Sequence, residues 1–186
     1  MNKFWGHLKT ITHHRHLVMR GCFRMGLIWQ GLTHDLSKYS PTEFLAGVRY
    51  YQGDRSPNTA EREANGYSLA WMHHKGRNRH HFEYWTDLSP KTRTYEPVDM
   101  PVRYLCEMVA DRIAACKTYQ GAAYTDASPL QYLDRANESR LVHPQTMKRP
   151  RFLLTMLAER GEKETFRFLR GVVLKGEPFA EEQPTP

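Results

Sequence analysis

The chain has no run of residues that approaches the roughly 20 apolar residues of a membrane span. Its N-terminal segment carries Trp5, His7 and Lys9 where a signal peptide needs an unbroken apolar centre. It has only three cysteines, Cys22, Cys106 and Cys116, far apart and without a CxxC pair, which argues against a disulfide framework or a zinc ribbon. A reducing cytoplasm is the expected compartment, and a membrane is not an expected partner. GxGxxG, a Walker loop, GxSxG and any Cys/His nucleophile arrangement are missing as well, which removes the commonest nucleotide-cradling and acyl-transfer chemistries. No internal repeat and no clear strand run is found.

Histidine is what the chain has in quantity, 10 among 186 residues, and buried imidazoles are costly unless they have partners. With 40% hydrophobic and 25% charged residues the balance is globular, and the length suits one domain with a real core. Residues 1–175 are expected to form it, and 176–186 to be a disordered C-terminal tail. The net charge is +7 and the isoelectric point near 9.4. Such a balance suits a phosphate-bearing ligand or nucleic acid, or merely a soluble surface. The basic residues are scattered in short clusters, which argues against nucleic acid as the partner.

Hydrophobic spacing predicts helices joined by short connections. Phe4, Leu8, Ile11, Val18 and Cys22 predict a first helix of about five turns ending near Gly21, with His14 facing inward and His13 and His16 facing water. A second helix is expected from Met25 to Ser37, with the His34-Asp35 pair inside it and Lys38 one turn beyond His34 on the same face. Ser40-Pro41-Thr42-Glu43 reads as a capping box that opens a third helix, which assigns Ser40 and Glu43 to capping. After Ser56-Pro57 the chain turns polar, then enters Tyr67 to Trp85, where His73-His74 and His80-His81 flank a turn at Gly76 and Asn78. Asp87 to Asp99 reads as a loop. A long helix follows from Pro101 to about Gln120, with Asp111 at the border of its apolar arc and Glu107 one turn earlier. Ser128-Pro129 opens a short helix, and Arg151–Arg160 and Lys163–Leu174 read as two more around Gly161.

The adjacent His34 and Asp35 put an imidazole nitrogen and a carboxylate oxygen side by side, a donor pair that borderline divalent cations accept. His14 and Asp111 lie on or beside inner faces and could converge on that pair. The alternatives are a hydrogen-bonded packing role for His14 and a salt bridge to Arg112 for Asp111. For each of the four later histidines the alternative is a hydrogen bond to a carboxylate or the backbone. Helical phase does not choose among those four, although His74 lies close to Tyr67 in direction. Lys38 would meet an anionic ligand beside any metal. Lys75, Arg77 and Arg112 are further candidate phosphate contacts.

The order of a helical His14, the His34-Asp35 pair and a later Asp111 on a long helix resembles the HD-domain superfamily of metal-dependent phosphohydrolases. The segments ITHHR, HDLSKYSPTEF, AWMHHKGRN, HHFEYW and EMVADRIA also resemble an uncharacterised bacterial family within or beside that superfamily, over about residues 3 to 170. The superfamily resemblance implies an all-α, single-domain helical bundle of the HD type. It implies His14, His34, Asp35 and Asp111 as ligands of one metal, and His74 and His81 as ligands of a second, with His73 and His80 as alternatives. Asp35 and Lys38 would then serve catalysis, and Lys38, with Arg77 as a further candidate, would contact substrate. The cofactor implied is one or two divalent transition metals, with Mn, Fe, Co, Ni and Zn not distinguished. The activity implied is hydrolysis of a small phosphorylated metabolite or nucleotide. HD-fold di-iron oxygenases such as myo-inositol oxygenase are similar in their HD pair, following lysine and extra histidines, and they activate dioxygen instead of water. A catalytically dead HD fold and a non-enzymatic nucleic-acid-binding module are the remaining readings.

Overall fold

Asn2 starts the first helix by accepting a hydrogen bond from the Phe4 N–H at 2.9 Å, satisfying a donor that the first turn leaves without a partner. The computed structural model of the chain describes residues 2–135 and 142–179. Helix α1 (Lys3–Met25) runs past Gly21, where the sequence suggested a stop, and ends at Gly26 with φ 86°. Gly21 is a contact instead of a terminus. A Cβ there would lie 3.1 Å from Ala110 and 3.3 Å from Phe166, so the missing side chain lets α1 cross its neighbours closely.

The His34-Asp35 pair is not inside a helix as expected. Helix α2 (Ile28–Thr33) stops before it, His34 is extended (φ −51°, ψ 127°), Asp35 is left-handed (φ 53°, ψ 28°), and a 3-10 turn follows over Leu36–Tyr39. Aspartate is among the few side chains that tolerate this conformation, which is sparsely populated and gathers at functional sites. Helix α3 (Pro41–Tyr50) opens as predicted, with Ser40 accepting from the Glu43 N–H and Pro41 in the first turn. The polar stretch after Ser56 is a helix too, α4 (Pro57–Asn65), with Ala60 and Glu61 buried and Gly66 closing it at φ 81°. Helix α5 (Leu69–Lys75) is capped by Ser68, which accepts from the Trp71 N–H at 2.9 Å.

Between Trp85 and Asp99 the chain is not all loop. Strands β1 (Thr86–Leu88) and β2 (Tyr95–Pro97) form an antiparallel hairpin with Asp87 opposite Glu96. The hairpin is too short and exposed to leave an alternating apolar pattern. Helix α6 (Val102–Gln120) is the axis of the fold, and α7 (Ser128–Arg135) and α8 (Pro144–Lys175) complete it. The two C-terminal helices expected around Gly161 are both present, as halves of α8 on either side of a break at that residue (φ 76°, ψ 171°). The first half starts earlier than expected, at Pro144, and carries Pro150 inside it.

The core lies where α1, α6 and α8 pack. Val18, Cys22 and Met25 meet Leu105, Val109 and Ile113, with Leu153, Leu157 and Leu169 closing the far side. The three cysteines are free and buried. Phe179 folds back beside Phe168 with ring centres 6.1 Å apart and is buried in the same core. The expected disordered tail therefore does not hold for residues 176–179, and residues 180–186 lie outside the described ones. Among the described residues the fold is all-α apart from the hairpin. Among the described residues no helix is long and apolar enough to cross a membrane.

Candidate metal centre

Three elements bring four donors together. On the inner face of α1, His14 follows Ile11 and precedes Val18, all buried. From α6, Asp111 places Oδ1 2.9 Å from His14 Nε2 and 3.6 Å from His34 Nε2. Asp35 Oδ2 lies 3.3 Å from His34 Nε2 and 3.8 Å from His14 Nε2. Ligands held at about 2.0–2.2 Å from a common ion stand roughly 3.0–3.5 Å apart, so the spacing suits one divalent cation.

The other oxygen of Asp35 faces a second group. Its Oδ1 lies 3.3 Å from His74 Nε2 and 3.4 Å from His80 Nε2, and His81 offers a nitrogen to the same set. Asp35 thus stands between two pockets, one oxygen towards each. Buried His14 Nε2, His34 Nε2, His80 Nε2, His81 Nε2 and Asp35 Oδ1 have no hydrogen-bond partner although they crowd one another, and Asp35 Oδ2 meets only Lys38. Leaving such atoms unsatisfied is expensive, at about 1–3 kcal/mol each, and a cation in each pocket would satisfy them together. The donor set therefore fits a metal.

Behind the donors two carboxylates hold the imidazoles. Glu107 Oε1 accepts from His34 Nδ1 at 2.9 Å and lies 3.3 Å from His80 Nδ1, while its Oε2 accepts from Gln30 Nε2 at 2.6 Å. Gln30 is itself fixed by Arg103, whose Nε donates to Gln30 Oε1 at 2.7 Å. Glu43 accepts from His73 Nδ1 and His74 Nδ1, both at 2.7 Å. A proton on Nδ1 leaves Nε2 with its lone pair directed at the pocket, the arrangement by which a carboxylate sets the tautomer of a ligating histidine.

The electrostatics follow from this crowding. Burial opposes ionisation of Asp35, but His34, Lys38 and His74 hold its carboxyl well below the usual range. Asp111 is likewise held well down by His14 and His34 against its burial, and Glu107 is held at about 2 by His34 and His80. Burial works against charge on His34 as well, yet Asp35, Asp111 and Glu107 raise its pKa well above the ordinary value. His81 is driven well down by burial and by His80 and His74.

The sequence-predicted residues divide clearly. His14, His34, Asp35 and Asp111 meet, and His74, His81 and the alternative His80 lie together against Asp35, a sharing that the sequence did not suggest. His73 does not, because its ring is turned to Glu43. Lys38 donates to Asp35 Oδ2 at 2.7 Å and borders the cleft, from the 3-10 turn instead of a helix face. Arg77 is a correction. It is exposed, donates to the His73 carbonyl at the end of α5, and lies outside the cleft, as does Lys75. Glu43 is another, since its carboxylate serves His73 and His74 and only its N–H belongs to the cap. The role of Glu107 went unread, although its place one turn before Asp111 was a usable signal.

The centre forms the floor of a cleft of about 560 Å³, which His14, Lys38, His74, His81 and Asp111 line. The first turn of α4 and the end of α6, with Tyr119 and Gln120, make its walls.

A family model described as a family of unknown function (DUF5662) matches residues 3–156, and the chain belongs to that family. No curated protein and no solved structure matches it.

Proposed function

We propose that the protein is a metal-dependent phosphohydrolase of the HD type, acting on a small phosphorylated metabolite or nucleotide in the cytoplasm. The observation that carries the reading is Asp35, which stands between two buried donor sets and offers one oxygen to each. His14, His34, Asp35 and Asp111 would hold one divalent transition metal, and Asp35, His74, His80 and His81 a second. Metals so placed supply an acidified water and charge neutralisation for a phosphoryl group. The chain supplies the rest. Glu107 and Glu43 keep the imidazoles in the tautomer that presents Nε2. Lys38 is fixed by Asp35 and keeps N–H donors for a phosphoryl oxygen in the cleft. Cleft walls hold the remainder of the ester.

The basic charge of the chain does not favour nucleic acid. Arg55 is forked onto Glu63 at 2.7 Å, Arg149 pairs with Asp99 at 3.0 Å and Arg151 with Asp134 at 2.8 Å. The test is elemental analysis of protein purified without chelator, followed by hydrolysis of p-nitrophenyl phosphate before and after metal removal. One or two equivalents of Mn, Co, Ni or Zn with metal-dependent hydrolysis is the expected result. Iron with oxygen consumption would move the centre to the oxygenase class, and no metal after soaking in divalent ions would overturn both.

A further inference from the structure

One imidazole in the cleft belongs to neither donor set. His7 lies two turns before His14 on the same face of α1, is 5% exposed, and borders the cleft. Its ring sits against Phe44 and Tyr51, with centres 5.3 and 6.0 Å away, and its buried Nδ1 has no hydrogen-bond partner. The packing is arranged around it. A Cβ at Gly47 of α3 would collide with His7 Nε2, so that position must be glycine for the imidazole to fit. An apolar ring would pack between Phe44 and Tyr51 without an orphaned nitrogen, so packing alone does not account for a histidine. Burial and the nearby charge of Lys38 lower its pKa to about 4, so at neutral pH it carries one N–H donor and one acceptor lone pair.

The rest of the cleft shows what such a group would meet. Of the cations that border it, Arg55 is engaged by Glu63, Arg62 lies over the Trp71 ring at 5.4 Å and Arg112 stands on α6 next to Asp111, while Lys38 is the one held against the centre, where a phosphoryl group would sit. Trp71 is also stacked on His74, so its ring is taken up by protein and not offered to a base. Uncharged hydrogen-bonding groups occupy the walls, with Thr10, Asn58, Thr59 and Gln120 among them.

We propose that His7 is a specificity residue that hydrogen-bonds a hydroxyl of the leaving group, and that the cleft takes the phosphate monoester of a small polyhydroxylated alcohol. This rests on the reading of the centre as a phosphohydrolase. Water cleaves the P–O bond, and the alcohol and inorganic phosphate are released. His7 touches the alcohol and not the phosphoryl group, so it sets affinity for the correct ester.

The test compares p-nitrophenyl phosphate, which has no hydroxyl in its leaving group, with a panel of sugar and polyol phosphates and nucleoside monophosphates. Metal-loaded wild-type protein should prefer a polyol phosphate. His7→Phe, which keeps the ring, should raise KM for that ester about tenfold, the worth of one hydrogen bond, and leave KM for the aryl ester unchanged. His7→Gln, which restores a donor and an acceptor, should recover part of the loss and carries the test if the Phe variant does not fold. Equal effects on both esters, no effect on either, or preference for a nucleotide independent of His7 would overturn the inference while leaving the phosphohydrolase standing. Wild-type protein that holds its metal and hydrolyses no ester removes the reading itself, and the inference with it.

Discussion

The two donor pockets that share Asp35 are built by different means. His14, His34 and Asp111 come from α1, the end of α2 and α6, elements far apart in sequence but clamped where Val18, Cys22 and Val109 are fully buried. His74, His80 and His81 come from one stretch, the helix α5 of about two turns and the irregular turn after it. In the first pocket long helices fix the donors. In the second, His74 is aimed by donating to Glu43 and His80 by Glu107, 3.3 Å from its Nδ1. The charges differ as well, with two carboxylates in the first pocket and only the shared Asp35 in the second. More anionic donors and a stiffer frame should make the first pocket the tighter and the second the more easily emptied.

The largest effect belongs to the residue common to both. Asp35→Ala should lose both metals and lower kcat/KM for p-nitrophenyl phosphate by a factor of about 10³ or more, since the donor that joins the pockets is gone. Asp111→Asn and His74→Ala then separate the pair. His74→Ala should leave about one metal equivalent in place, whereas Asp111→Asn should weaken the tighter site and reduce total metal further. Equal losses in the two variants, measured by elemental analysis after the same dialysis, would show that the pockets do not differ in strength.

The same contrast explains what could be read in the sequence. His14 and Asp111 sit on regular amphipathic helices, where about 100° per residue states which way a side chain points. The fold class and the first pocket were therefore legible. The second was legible only as a cluster of histidines, because His80 and His81 lie in a turn with no period, and phase could not separate His73 from His74. Context misled twice. Leu27, Ile28 and Leu32 extend a helical pattern through the HD pair, but Asp35 takes φ 53°, a local conformation that an apolar pattern does not report. Ser40-Pro41-Thr42-Glu43 satisfies a capping rule completely, and that completeness hid the long-range partners of Glu43 on α5. A carboxylate that answers to a local motif still has two oxygens to place.

Smaller effects come from the residues that aim the donors. Glu43→Gln removes the acceptor that fixes His74 but leaves His34 held by Glu107, so it should weaken metal binding in the second pocket about 10–100-fold and spare the first. Glu107→Gln touches His34 and His80 together and should weaken both. Metal titration followed by calorimetry checks this: two resolved affinities of which Glu43→Gln shifts only the weaker. A shift of both in that variant would mean that the pockets are one cooperative unit, and the comparison between them would fail.

The smallest effect concerns an imidazole in neither pocket and measures how much the polar interior costs the fold. His7 has its pKa lowered from 6.5 to about 4 by burial and by Lys38, so folding favours its neutral form. A group depressed in the folded state gives its full contribution above the unfolded pKa and loses it as pH falls towards the folded one. The stability tied to His7 is thus present above about pH 6.5 and declines as pH falls from 6.5 towards 4. Urea unfolding of metal-free protein should show this fall, and His7→Phe, which has no proton to take up, should show a shallower one over the same interval. Parallel curves would mean that His7 is protonated as readily in the folded chain as in the unfolded one, and that its nitrogen already finds a partner in the cleft.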